Sequence, residues 1–101
     1  MADIRAGDLR ITGGLRAGNW RYGKVVITPV ANTPTSTTVS GFTLAGAGSV
    51  HGYCTTVSSV PGVDVQETSV TSVTATGMTV WIYRDNTTVT EVDWMMWRNR
   101  V

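Results

Sequence analysis

The chain has 101 residues, 42% hydrophobic and 15% charged, with a formal net charge of +1. That length holds one domain with one core, and the near-zero charge sets up no strong field to draw in nucleic acid or anionic lipid. The single Cys54 excludes an intramolecular disulfide and every cysteine-rich zinc pattern.

Residues 1–19 are rich in Gly and Arg, with Gly13-Gly14 and Gly18 interrupting any period, and they read as an N-terminal arm. Charge is unevenly placed: Arg5, Arg10, Arg16, Arg21 and Lys24 crowd the start, whereas acids dominate from 64 to 93. A basic arm therefore precedes a near-neutral domain over 20–101. No apolar run reaches membrane-spanning length, and the start lacks the charged and apolar stretches of a signal peptide. This predicts a soluble chain made in the cytoplasm, with no membrane partner.

Within 20–29, Val25 and Ile27 share one face and Lys24, Val26 and Thr28 the other, closing at Pro29, which predicts a first strand. Ala31-Asn32-Thr33-Pro34-Thr35 is a turn, and a second strand follows over 36–44, where Gly41 marks a bulge or a close backbone approach. Ala45-Gly46-Ala47-Gly48 reverses the chain into a third strand over 49–57. Val50, Gly52 and Cys54 lie on one of its faces, and His51, Tyr53 and Thr55 on the other. Pro61-Gly62 suits a type II turn before a fourth strand over 63–70. Strands over 78–84 and 89–97 flank Asp85-Asn86-Thr87-Thr88, whose turn chemistry predicts a hairpin. Six strands with turn signals every eight to twelve residues or so, and no helical period, predict an antiparallel sandwich or barrel.

The last strand breaks the alternation. Val92, Trp94 and Met96 form one apolar face, with Trp94 as an expected core anchor, but Met95 and Trp97 make the other face apolar as well. A domain this small has one inner face per sheet. The second apolar face therefore predicts a subunit interface, with a strand end tucked under the arm as the alternative. Met95, Trp97 and Trp20 are its candidate residues. Trp20, Arg21 and Tyr22 juxtapose aromatic and basic groups as single-strand binders do, yet in a nearly neutral chain docking or packing is the better reading, and no nucleic-acid partner is expected.

Little in the sequence points to catalysis. His51 and Cys54 are three positions apart on a strand, so they point to opposite faces and form no nucleophile and base pair; Cys54 reads as a small core residue. Asp64, Glu67, Asp85, Glu91 and Asp93 are dispersed and show no acid and base pair. Gly46-Ala47-Gly48 lacks the strand-to-helix setting of a phosphate cradle. The Asn86-Thr87-Thr88 match to a glycosylation acceptor is short and carries little weight. No enzyme activity, cofactor or metal is expected.

Four segments carry a likeness to a known family. They are Ile27-Thr28-Pro29-Val30-Ala31-Asn32-Thr33-Pro34-Thr35-Ser36, Ser58-Ser59-Val60-Pro61-Gly62, the run from Thr76 through Trp81-Ile82-Tyr83-Arg84-Asp85-Asn86 to Thr88, and Val92-Asp93-Trp94. Together they mark the stretch from Lys24 to Trp97, about three quarters of the chain, which resembles the H-type lectin-like domain at the ends of bacteriophage tail and fibre proteins, especially those infecting actinobacteria. The stretch from Asp3 to Gly13 also looks like the start of short phage virion proteins. The resemblance implies an all-β, six-stranded antiparallel β-sandwich, commonly trimeric, that binds galactosamine-like sugars near subunit interfaces. The paired cysteines of some secreted members are absent, which suits a particle assembled inside the host bacterium.

The expected function is that of a non-enzymatic virion protein: a homotrimeric sandwich on a phage tail or fibre, with the arm over 1–19 reaching into neighbouring virion subunits and distal loops touching host glycans. A capsid decoration protein stapled to the shell by its arm is the structural alternative, and a free lectin the third. Exposed rings stack on the apolar faces of sugars while polar groups meet the hydroxyls, which makes His51, Tyr53, Arg84 and Asp85 the candidate glycan contacts. In the competing reading Arg84 and Asp85 only shape the turn before Asn86, and His51 and Tyr53 pack between subunits.

Overall fold

The computed structural model describes residues 18–58 and 64–101; residues 1–17 of the expected arm over 1–19 and the Pro61-Gly62 turn lie outside the described residues. Of those described, 63% are extended and none is helical. Six strands are formed: β1 Trp20–Ile27, β2 Thr35–Val39, β3 Val50–Val57, β4 Val65–Thr74, β5 Gly77–Arg84 and β6 Thr90–Arg98. They make two three-stranded antiparallel sheets, β1-β6-β3 (sheet 1) and β2-β5-β4 (sheet 2).

Period-2 alternation decides what each sheet buries. In β5, Met78, Val80 and Ile82 point inward; in β6, Val92 and Met96 do the same, and Ile27, Val39 and Leu44 complete the buried core between the sheets. The expected faces of β1 and β3 hold, with Val25 and Ile27 inside on one and Val50 and Cys54 against the core on the other. Arg21 leaves the Trp20-Arg21-Tyr22 cluster for the inner side, where its guanidinium lies 5.0 Å from the Phe42 ring centre.

The hairpin expected around residues 85–88 does not form. β5 and β6 belong to different sheets, so those polar residues carry the chain across the sandwich. The sequential hairpin is β4 to β5, closed where Thr74 pairs with Gly77. Turn chemistry reports that the chain reverses, not which sheet it enters next, because both outcomes need the same flexible polar residues.

Two strand ends also move. β2 stops at Val39 rather than at 44, because Gly41 adopts φ +93 in open space and turns the backbone out of the sheet rather than making a bulge. Leu44 nevertheless reaches the core, its N–H donating to the Ala75 carbonyl at 2.7 Å. β4 runs on to Thr74 through two register shifts, one around Gln66 and one around Ser72, which has φ +53. A bulge inserts a residue and restores the alternation beyond it, and the second one returns Val73 to the core side.

Trp94 packs against the core rather than within it. Its ring stacks on Phe42 with centres 5.8 Å apart and planes 8° from parallel. On the neighbouring strand its partner in register is Gly23, where a Cβ would lie 3.0 Å from the indole, so the glycine makes room for the ring. Trp94→Ala should cost about 3 kcal/mol, the low end for a large aromatic because the ring is only half-buried; chemical denaturation measures it, and a loss well under 1 kcal/mol would show that the stack is incidental.

Candidate functional site

The outward residues of sheet 1 form rows across the three strands. Trp20, Trp97 and His51 pair in one row, and Tyr22, Met95 and Tyr53 in the next. Because β1 and β3 both run antiparallel to β6, alternate residues of all three strands meet on this face, and five of these six carry rings. Within it the Trp20 and Tyr22 rings are 5.2 Å apart, His51 stacks on Trp97 at 5.0 Å, and Tyr53 stacks on the same indole at 5.2 Å. Trp97 is thus the centre of a small stack, and Tyr22 and Tyr53 remain 60% and 56% exposed.

The remaining rows are polar and mixed. Lys24, Asp93 and Thr55 follow, then Val26, Glu91 and Val57. Lys24 Nζ lies 3.5 Å from Glu91 Oε1, a solvated pair of little energetic weight. The face therefore offers ring surface at one end and solvated charge beside it. Such a surface stacks on flat apolar partners.

His51, Tyr53, Met95, Trp97 and Trp20, expected to divide between glycan contact and oligomer contact, lie together here as a single surface. Arg84 and Asp85 do not join them. Arg84 ends β5 in the other sheet with its side chain turned inward, 6% exposed. Its Nε donates to Asn86 Oδ1 and its Nη1 to Thr90 Oγ1, both at 2.8 Å, and its Nη2 lies 4.0 Å from Asp64 Oδ2. The guanidinium is thereby committed to holding the 85–89 connection, and it has no face turned to a ligand.

Asp85 beside it is exposed. A hydrogen bond with the Asp64 side chain, reinforced by slight desolvation and by the like charge, holds its carboxyl above the ordinary range. Cys54 faces inward, its thiol 3.5 Å from the Ser69 carbonyl, and burial raises its pKa against an opposing hydrogen bond with the Thr68 side chain. His51 points out through the opposite face of the same strand. Among the described residues no three His, Cys, Asp or Glu side chains approach as metal ligands would.

A second feature lies on the outer face of sheet 2. Trp81 and Tyr83 project there from β5, opposite Ser69 and Glu67 of β4 in register. With Pro34 and Thr71 they line a shallow groove of ≈ 190 Å³. The Trp81 Nε1–H donates to Thr71 Oγ1 at 2.7 Å, which fixes the indole across the strand pair. The signal for it was present in the sequence: once Met78, Val80 and Ile82 face inward, Trp81 and Tyr83 have to face out.

Two consequences follow for residues 84 and 85. Arg84→Ala should lower stability by about 2–3 kcal/mol, the size of lost hydrogen bonds to a charged group, with Arg84→Lys losing less; equal melting of all three proteins would show that the clamp is dispensable. Asp85→Asn should act oppositely. A carboxyl whose pKa is raised by folding contributes stability below its unfolded value and loses it as pH rises through the folded value. The variant should therefore melt above the parent at pH 7 and converge with it near pH 3 in a pH series of thermal scans; a parent that melts higher at pH 7 would contradict the carboxyl contact.

Comparison with protein-family models, with curated proteins and with solved structures finds no match to this chain.

Proposed function

We propose that the chain is a non-enzymatic structural component of a bacteriophage particle, working as a homo-oligomer, with a trimer favoured. It is a tail or tail-fibre subunit that touches host surface glycans and whose N-terminal segment contacts neighbouring subunits. The H-type lectin-like reading rests on the segment likeness, and the two-sheet architecture is compatible with it.

The observation that carries the oligomer is the ring face of sheet 1. Trp20, Tyr22, His51, Tyr53, Met95 and Trp97 gather aromatic area on the outside of a three-stranded sheet, where the fold itself has no use for it. Contiguous apolar surface of this kind marks contact with a partner, and aromatic residues with Met are the types enriched at interface cores. In a closed homo-oligomer the rings at the rim of that contact remain in water, where tyrosine and histidine suit sugar faces and hydroxyls. Repetition around a symmetry axis then raises a weak single-site affinity through avidity.

Sedimentation velocity on the full chain tests the assembly. The parent should sediment as a trimer, and Tyr53→Ser combined with Trp97→Ser should give a monomer with an unchanged β-type circular dichroism spectrum. A monomeric parent, or a double variant that stays assembled, overturns the interface. A glycan array probed with the assembled parent tests adhesion, and an array without a single bound glycan leaves only the assembly role.

A further inference from the structure

We propose that the groove on the outer face of sheet 2 is the seat of the arginine-bearing N-terminal segment, residues 1–17, of a second copy of the chain. This deepens the assembly reading above by giving that segment an address, and it uses a surface separate from the ring face of sheet 1.

The groove has the chemistry of a guanidinium site. Trp81 and Tyr83 stand two residues apart on one face of β5, and Glu67 lies opposite Tyr83 in register. The Trp81 N–H is already engaged by Thr71, so what the indole offers a ligand is its ring. Aromatic rings beside one carboxylate suit arginine, whose planar cation stacks on a ring while its N–H fork meets an oxyanion. Ser69 and Thr71 add hydroxyls along the same wall. Among the described residues no cation lies within ion-pair distance of Glu67; the two pairs found are Lys24 with Glu91 and Arg84 with Asp64.

Charge complementarity names the occupant. The chain carries a net charge of only +1; in the first 17 residues Arg5, Arg10 and Arg16 outnumber Asp3 and Asp8, while Glu67 lies on β4, with Asp64 just before that strand and Asp85 just after β5. Among the described residues the one basic side chain at that end of sheet 2, Arg84, is buried and spoken for.

Position permits a second copy. The Gly18 carbonyl accepts from the Ala45 N–H at 2.8 Å and the Asn19 carbonyl from the Arg98 N–H at 2.9 Å, while Leu44 is bonded to Ala75 beside the β4–β5 hairpin. The segment thus enters the fold at the hairpin end of the sandwich, and the Tyr83 and Glu67 end of the groove is the far end of β5. Seventeen residues reach up to about 55 Å when extended, ample to cross to the same groove on a neighbouring copy.

The test titrates a synthetic peptide of residues 1–17 into the 15N-labelled full chain and follows the four indole N–H resonances, that of Trp81 identified by Trp81→Phe. The Trp81 signal should shift and those of Trp20, Trp94 and Trp97 should not. Glu67→Gln should weaken binding about two- to fivefold, the size of one exposed cation–π contact or ion pair. A peptide with Arg5, Arg10 and Arg16 all changed to Gln should leave Trp81 unmoved. Shifts at Trp20 or Trp97 would place the segment on sheet 1 and overturn the groove assignment. If neither peptide nor dilution moves Trp81, but the arginine changes made within the full chain do, the segment binds its own chain and the second copy is refuted. If none of the three moves Trp81, the groove is not its seat. Since the ring-face variants Tyr53→Ser and Trp97→Ser leave Glu67 and Trp81 in place, failure of the sheet 1 interface and failure of this contact read out separately.

Discussion

β5 and β6 follow one another in the chain, yet each is the middle strand of a different sheet, and their packing back to back is the constraint that the other elements obey. Together they bring Met78, Val80, Ile82, Val92 and Met96 to the core, and each such side chain contributes about 1.5–3 kcal/mol on full burial. To place them so, the chain leaves one ladder and joins another roughly 10 Å away within residues 85–89. The crossing itself is largely exposed, but the residues that flank it, Arg84 and Thr90, are buried and need partners. Arg84 finds them in Asn86 and Thr90, and the Thr90 hydroxyl in turn donates a hydrogen bond to the Thr88 carbonyl at 2.8 Å. A buried guanidinium is costly without such partners; here it is bonded on both sides of the crossing and lies near Asp64.

From that arrangement the outer surfaces follow. Each sheet has one central and two edge strands, so the slab is thin and every second residue of six strands faces away from the core. On sheet 2 those positions are mostly Ser and Thr, with Trp81 and Tyr83 set among them; on sheet 1 they are rings at one end and charges in the middle.

Much of this was legible in the residue pattern, and the failures have a common cause. Alternation in 20–29 and 49–57 assigned the inner faces of β1 and β3 correctly, since a period of two is a local property. The doubly apolar end of the last strand announced an outward ring face for the same reason. What local pattern could not carry was partnership between strands. Asp85-Asn86-Thr87-Thr88 looks alike whether it closes a hairpin or crosses a sandwich, and only the long-range burial of Arg84 and Thr90 decides. The bulge at Ser72 hid the extension of β4 by breaking the very period used to find strands. Arg84 and Asp85 looked like a loop-tip pair free to meet a ligand, because nothing nearby in sequence shows that the guanidinium turns inward. The merging of His51 and Tyr53 with Trp97 depends on β3 pairing with β6, across more than forty residues.

The edges of the two sheets are not equally defended. β2 is five residues long, β4 is interrupted twice, and β1 carries Arg21 and Lys24. β3, Val-His-Gly-Tyr-Cys-Thr-Thr-Val, is eight residues without a proline, a bulge or an acidic or lysine side chain, and among the described residues β6 is its one ladder partner, although β4 of the other sheet lies close by. Such an edge is a template for another extended chain. An extended segment that paired there would lengthen sheet 1 without disturbing the core between the sheets.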